Sequence, residues 1–174
     1  MTNFIKKLSV PQIIVGAYAS LILIGAILLS LPIASAQGIW TPFFDAFFSS
    51  TSAVTVTGVT ILETATYWSY FGKTTLLLLI EIGGLGFMSI WILFYLNLIG
   101  SPDLKTRMVM SESFDLSSSE NVLDRVWTIL KFSLVVQAIG TVFLAFSFIP
   151  EYGWLEGSYF SVFHSVSAFT NGGA

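Results

Sequence analysis

The chain has 174 residues, of which 55% are apolar and 10% charged. Soluble domains carry roughly 25% charged residues, so this balance, with a mean hydropathy of +0.83, points to the membrane class. A net charge of -3 excludes a basic nucleic-acid surface as the main theme, and no nucleic-acid partner is expected. The lack of cysteine removes disulfides and thiolate metal sites.

The opening residues, with Lys6 and Lys7, resemble the charged front of a signal peptide. The apolar run behind them exceeds the about 7–15 residues of such a peptide, and Ser35-Ala36-Gln37 is a weak cleavage site. A retained membrane helix is therefore expected over residues 13–31, without one charge. That is close to the roughly 20 residues a bilayer-crossing helix needs. Pro11 suits its start, and Pro32 cannot continue it.

Residues 41–53 hold Pro42, which fits the first turn of a helix, with Thr41 placed to cap it. This aromatic stretch is too short to cross a bilayer and reads as a re-entrant half-helix. The polar run "SAVTVTGVT", residues 52–60, carries the chain back out. In lipid, irregular backbone is tolerated only where it is buried in protein or lines a water-filled path. A half-helix followed by such a run has the pattern of a pore loop.

A second span is expected over residues 74–99, with Glu81 as its single charge, and a third over 126–149, carrying Lys131 and ending at Pro150. Each is long enough to cross with some tilt. The serine-rich stretch 101–121 between them suits either a flexible loop or a helix cap. Lys6, Lys7, Lys105, Arg107 and Arg125 fall on one side of the spans; the other side holds only Lys73. The positive-inside rule then makes the N-terminus and the 101–125 loop cytoplasmic, with the pore loops entering from outside.

The tail repeats the opening motif. At the 115-residue offset that pairs Gly58 with Gly173, identities recur at Phe48/Phe163, Ser50/Ser165, Ser52/Ser167, Ala53/Ala168 and Thr55/Thr170. Each copy follows one apolar span. Residues 1–100 thus read as a whole helix–pore loop–helix unit, 101–121 as a cytoplasmic loop, and 122–174 as a second unit that stops inside its filter. The expected fold is an all-α membrane protein of repeated, channel-like units, and the chain reads as incomplete. Internal symmetry of this kind is common in transport proteins.

A dehydrated monovalent cation needs oxygens to replace its water, which channels supply from backbone carbonyls of several loops around one axis. Thr55, Val56, Thr57 and Gly58 are candidates to point carbonyls inward. Glycine reaches positive φ without steric cost, letting successive carbonyls face one side. The half-helix would aim its carbonyl end, about half a negative charge, at the ion. The competing reading is a β-prone segment in an external loop; the repeat, the half-helices and the flanking spans weigh against it.

Three segments carry a family resemblance: "SAVTVTGV" at 52–59, "EIGGLGF" at 81–87 and "SAFTNGG" at 167–173. They resemble the Trk/Ktr/HKT superfamily of potassium transporters, nearest the membrane subunit of Ktr systems. The resemblance implies four helix–loop–helix units around a single pore, each filter holding one key glycine, here Gly58 and Gly173. The ion-binding residues it implies are Thr55, Val56, Thr57 and Gly58 with Thr170, Asn171, Gly172 and Gly173. "TNGG" departs from "TVTG", since Asn171 and Gly172 replace Val56 and Thr57. It further implies potassium uptake across the bacterial plasma membrane, no cofactor in this chain, a homodimer of the complete subunit, and gating by a cytosolic, KtrA-like nucleotide-binding ring.

Other residues carry less. Glu81 lies about 10 Å deep at 1.5 Å per residue. It is either a structural acceptor for the pore-loop backbone or an ion ligand. Gly83, Gly84 and Gly86 suit close helix packing. Lys131 suits snorkelling. His164 reads as a packing or hydrogen-bonding residue in preference to a proton relay. Asp45 and Glu63 are candidates for a cation-attracting outer vestibule. One histidine and no cysteine give no nucleophile–base pair or metal-ligand cluster, so the chain is not read as an enzyme. Two alternatives to potassium uptake stand: a sodium-preferring or sodium-coupled transporter of the same fold, and a non-transporting membrane fragment.

Overall fold

The computed structural model describes residues 10–85 and 122–173. Helix α1 spans Val10–Ser30, begins with a proline in its first turn and carries no charge along its length. At 21 residues it is about 32 Å long, the thickness of a bilayer's hydrocarbon core. It stops because Pro32 drives the residue before it out of the helical region; Leu31 sits at φ -67°, ψ 145°. A 3₁₀ turn, Pro32–Ala34, then bends the chain back.

Helix α2, Phe43–Thr55, packs along α1 and against the later helix Tyr70–Gly84. Pro42 sits one place earlier than the sequence suggests, at the N-cap, where its carbonyl accepts from the Asp45 and Ala46 amides, both at 3.0 Å. Thr41 does not cap the helix. It is buried, and its hydroxyl accepts from the Tyr67 hydroxyl at 3.1 Å. The two faces of α2 separate by residue size. Ala46, Ser49, Ser50, Ser52, Ala53 and Val54 face inward, whereas Phe43, Phe44, Phe47 and Phe48 stay exposed. In water such an outer face would be a liability; against lipid it is the favoured surface.

A single turn, α3 (Thr64–Tyr67), leads into α4 (Tyr70–Gly84). The α4 helix starts four residues before the expected boundary because Ser69 caps it, its hydroxyl accepting from the Gly72 amide at 3.2 Å. Backbone bonds from Ala36 to Tyr67 and from Ser69 to Ala34, both 2.9 Å, tie this start to the 3₁₀ turn after α1 and the residues beyond it. Residues 86–99 of the expected second span, Gly86 among them, and the 101–121 loop lie outside the described residues.

The last helix, α5, runs Val122–Thr170 and is broken at Gly153, whose φ of 82° and ψ of 174° no helix contains. Pro150 does not end the first arm as expected; the helix persists through 152, and the glycine makes the corner. The stretch Trp127–Thr170 is long and apolar enough to cross a membrane. The second arm, 154–170, turns back as a shorter helix. The core sits where α1, α2 and α4 meet, on Leu29, Ala46, Ala53, Val54, Leu76, Leu79 and Ile80.

Candidate functional site: two glycine loops

The α2 helix runs two residues further into the polar motif than its aromatic stretch suggests. Thr55 is its last residue, and its hydroxyl donates back to the Thr51 carbonyl at 2.8 Å. Val56 then takes the left-handed conformation, φ 54° and ψ 37°. The reversal is closed by amide bonds from Val56 to the Ala53 carbonyl, 3.3 Å, and from Thr57 to the Ser52 carbonyl, 3.1 Å. These satisfy carbonyls that a helix end leaves orphaned. Gly58 follows at φ 70°.

The second arm of α5 ends in the same way, 115 residues on. Asn171 donates to Ala168 at 3.3 Å and Gly172 to Ser167 at 2.8 Å. The Thr170 hydroxyl donates to the Val166 carbonyl at 2.8 Å, as Thr55 does to Thr51. Ser50 donates to the Ile22 carbonyl and Ser165 to the Gln137 carbonyl, each at 2.7 Å. Asn171 and Gly173 repeat the positive φ of Val56 and Gly58, at 61° and 64°. Residues 22 and 137 keep the offset too, so it relates α1 to α2 and the first arm of α5 to its second, as well as the two loops.

The two loops lie side by side. A Cβ on Gly58 would stand 3.2 Å from the Gly173 Cα and 3.5 Å from the Asn171 carbonyl oxygen, so the backbones meet with no space for side chains. Two helix carbonyl ends thereby converge on one place, each worth about half a negative charge. Among the described residues no group of three or more His, Cys, Asp or Glu could hold a metal ion. The oxygens that stand at this contact are backbone carbonyls, those of Asn171 and Gly58.

Residues 6–174 match the family model TrkH, described as a cation transport protein. The chain belongs to that family. It is 46% identical over 168 residues to the potassium/sodium uptake protein NtpJ of Enterococcus hirae, covering 97% of this chain and 37% of that protein. It is 37% identical to the Ktr system potassium uptake protein B of Bacillus subtilis, across 94% of this chain and 36% of the relative. The Vibrio alginolyticus protein of the same name is 36% identical over 94% and 35% respectively. The chain thus spans little more than a third of the length of these relatives. These relatives are named as uptake proteins, not enzymes, and the TrkH-family chain is an all-α membrane protein.

In this TrkH-family chain α4 is wedged between the two loops. Gly83 lies against the Val54 carbonyl and Gly84 against the Thr170 side chain, so both glycines are packing positions. Among the described residues Glu81, one turn earlier, has no bond to loop backbone. Gln137 donates its side-chain amide to both carboxylate oxygens, at 3.1 and 2.9 Å. The brace reaches the second half-helix indirectly, because the carbonyl of the same Gln137 accepts from Ser165.

The remaining candidates are spread out. His164 sits 2.9 Å from the Phe160 carbonyl on its own helix and beside Phe148, 5.1 Å between ring centroids. Asp45 occupies the first turn of α2, and Glu63 accepts from the Thr66 hydroxyl at 2.9 Å. Lys73 donates to the Ala65 carbonyl at 2.7 Å, near the Tyr70 and Phe160 rings. Lys131 is exposed. Nothing here brings Asp45, Glu63 and His164 into one cluster. Sequence reasoning missed Gln137, and missed Gly25 and Gly140, which leave room for the Ser50 and Ser165 hydroxyls. The offset that pairs the loop glycines also pairs these two, a usable signal.

Proposed function

We propose that these residues form part of a potassium uptake system of the bacterial plasma membrane. In it, carbonyls from Thr55–Gly58 and Thr170–Gly173 line a channel-like filter. The observation that carries this reading is the meeting of Gly58 and Gly173 at the carbonyl ends of two half-helices that share one hydrogen-bond pattern. Glycine permits a backbone turn that aims carbonyls at an ion, and the helix ends add negative potential where a cation sheds water. Two such loops are half of the four-glycine ring that the family resemblance implies, so the rest of the ring comes from outside these 174 residues. The N-terminus faces the cytoplasm, the complete subunit pairs with a second copy, and a KtrA-like nucleotide-binding ring docks on the inner side. A cysteine placed at Ser111 or Ser118 then reacts with impermeant reagent from the cytoplasmic side only.

A second reading is favoured by the printed name of the Enterococcus hirae relative, which includes sodium. In that reading the same carbonyl pathway takes sodium, alone or together with potassium. The test is uptake by the assembled transporter containing these residues, in cells lacking other potassium uptake. Growth on limiting potassium that resists excess sodium supports the potassium reading. Sodium uptake, whether independent of potassium or raised by it, selects the second, and no uptake of either ion overturns both.

A further inference from the structure

Ser52 lies on the buried face of α2, 8% exposed, one turn before the helix ends. Its hydroxyl accepts from two groups of the loop that follows, the Val59 amide at 3.0 Å and the Thr57 hydroxyl at 3.1 Å. Its carbonyl takes the Thr57 amide as well, at 3.1 Å. One residue therefore grips the loop on both sides of Gly58. Gly58 itself has no side chain and the widest choice of backbone angles, so its neighbours must fix its direction. Burial alone gives no reason for a hydroxyl here, since alanine fills the adjacent buried position 53.

The second loop has no counterpart of the Thr57 hydroxyl. The Ser167 carbonyl accepts from the Gly172 amide, the counterpart of the Thr57 bond, but position 172 brings no hydroxyl. A Cβ there would stand 2.6 Å from Ile80 Cγ2, so the space that Thr57 uses in the first loop is taken by α4 in the second. The hydroxyl-to-hydroxyl half of the grip belongs to the first loop.

We propose that Ser52 is a positioning residue for ion choice: its hydroxyl, held by Thr57 and Val59, sets the direction of the Thr57 and Gly58 carbonyls. The inference rests on the filter reading given above. The test measures KM for potassium and inhibition by sodium, in the assembled transporter in uptake-deficient cells. Ser52→Ala should reduce potassium-over-sodium discrimination about tenfold, as loss of hydrogen bonds of ordinary net strength allows, with the maximal rate little changed. Thr57→Val should act in the same direction, Thr57→Ser should retain discrimination, and Ser52→Ala with Thr57→Val should match Ser52→Ala alone. Unchanged discrimination in Ser52→Ala, or a fall in rate at constant discrimination, overturns the proposal. If Ser52→Ala does not reach the membrane, the Thr57→Val and Thr57→Ser pair decides, equal behaviour of the two overturning it. Failure of the unaltered transporter to select potassium overturns the filter reading itself, a result distinct from a selective parent with an indifferent Ser52.

Discussion

Gly58 and Gly173 approach each other asymmetrically. A Cβ on Gly173 would lie 2.6 Å from the Gly58 carbonyl oxygen and 2.9 Å from its carbonyl carbon, whereas one on Gly58 would meet the Gly173 Cα at 3.2 Å. Both glycines also hold positive φ, 70° and 64°. Sterics and backbone conformation therefore ask for glycine at each position independently, and neither reason depends on what passes between the loops.

The first prediction concerns Gly58→Ser. A β-carbon at positive φ costs roughly 1–2 kcal/mol, and the side chain would press on the opposite loop. The carbonyls should rotate out of line together, so that potassium affinity falls by about tenfold or more, 1.4 kcal/mol being one decade. Gly173→Ala should be at least as harmful, since its β-carbon meets a carbonyl. Potassium-limited growth with sodium competition reads both. Unchanged affinity and selectivity in Gly58→Ser would reduce residues 52–60 to a connecting loop.

A second prediction follows from Glu81. Its carboxylate takes both described bonds from Gln137, so Gln137→Ala leaves a half-buried acid without that donor. The cost of an unsatisfied buried polar group is about 1–3 kcal/mol, more for a charged one. Thermal unfolding in detergent should show Gln137→Ala less stable than the parent. Gln137→Ala combined with Glu81→Gln should recover part of the loss, because the stranded charge is gone. If the double variant is less stable than Gln137→Ala, the pair is not the source of the effect.

Helix spacing, charge placement and the repeated motif made much of this legible from the residues alone. The charge-free run of α1 and the proline after it placed the first helix within a few residues, because both signals act locally. The end of α5's first arm was misread for a related reason. Proline removes one donor and disfavours the residue before it, but a helix whose next turn is otherwise sound can pass through it, and the positive φ of Gly153 makes the break. Gly38 holds a positive φ of 69° at the paired position, so comparing the two halves would have marked the corner. The Glu81–Gln137 bond was not legible. It depends on how α4 crosses α5, and no periodicity within either helix encodes that crossing.

The third prediction tests the close approach of α1 and α2. A Cβ on Gly25 would stand 2.7 Å from Leu79 Cδ1 and would also meet the Ser50 hydroxyl, which bonds the Ile22 carbonyl. Gly25→Leu should overpack this junction and destabilise by about 1–3 kcal/mol or more. Gly140→Leu should do the same against Ser165, whose hydroxyl would lie 2.5 Å from the new β-carbon. By contrast Gly16→Leu, where nothing among the described residues lies within 4 Å, should be neutral. Melting temperatures of the three variants in one detergent make the comparison. Equal stability of Gly25→Leu and Gly16→Leu would mean the helices can separate at no cost.

The last prediction moves one residue from the second loop to the first. Val56 holds the left-handed conformation at the C-cap of α2, where a β-branched side chain is a strained exception. The paired cap carries Asn171 at φ 61°, a residue that tolerates this region. Val56→Asn should keep both closing bonds, since they come from backbone amides, and relieve about 1 kcal/mol of strain. Val56→Gly should relieve the same strain but gain less, because glycine loses more backbone freedom on folding. A raised melting temperature for Val56→Asn, with ion selectivity equal to the parent, is the expected pair of results. A lower melting temperature would show that the valine side chain packs well enough to offset its backbone strain. A changed selectivity at raised stability would show that the side chain at 56, beyond its backbone, faces the ion.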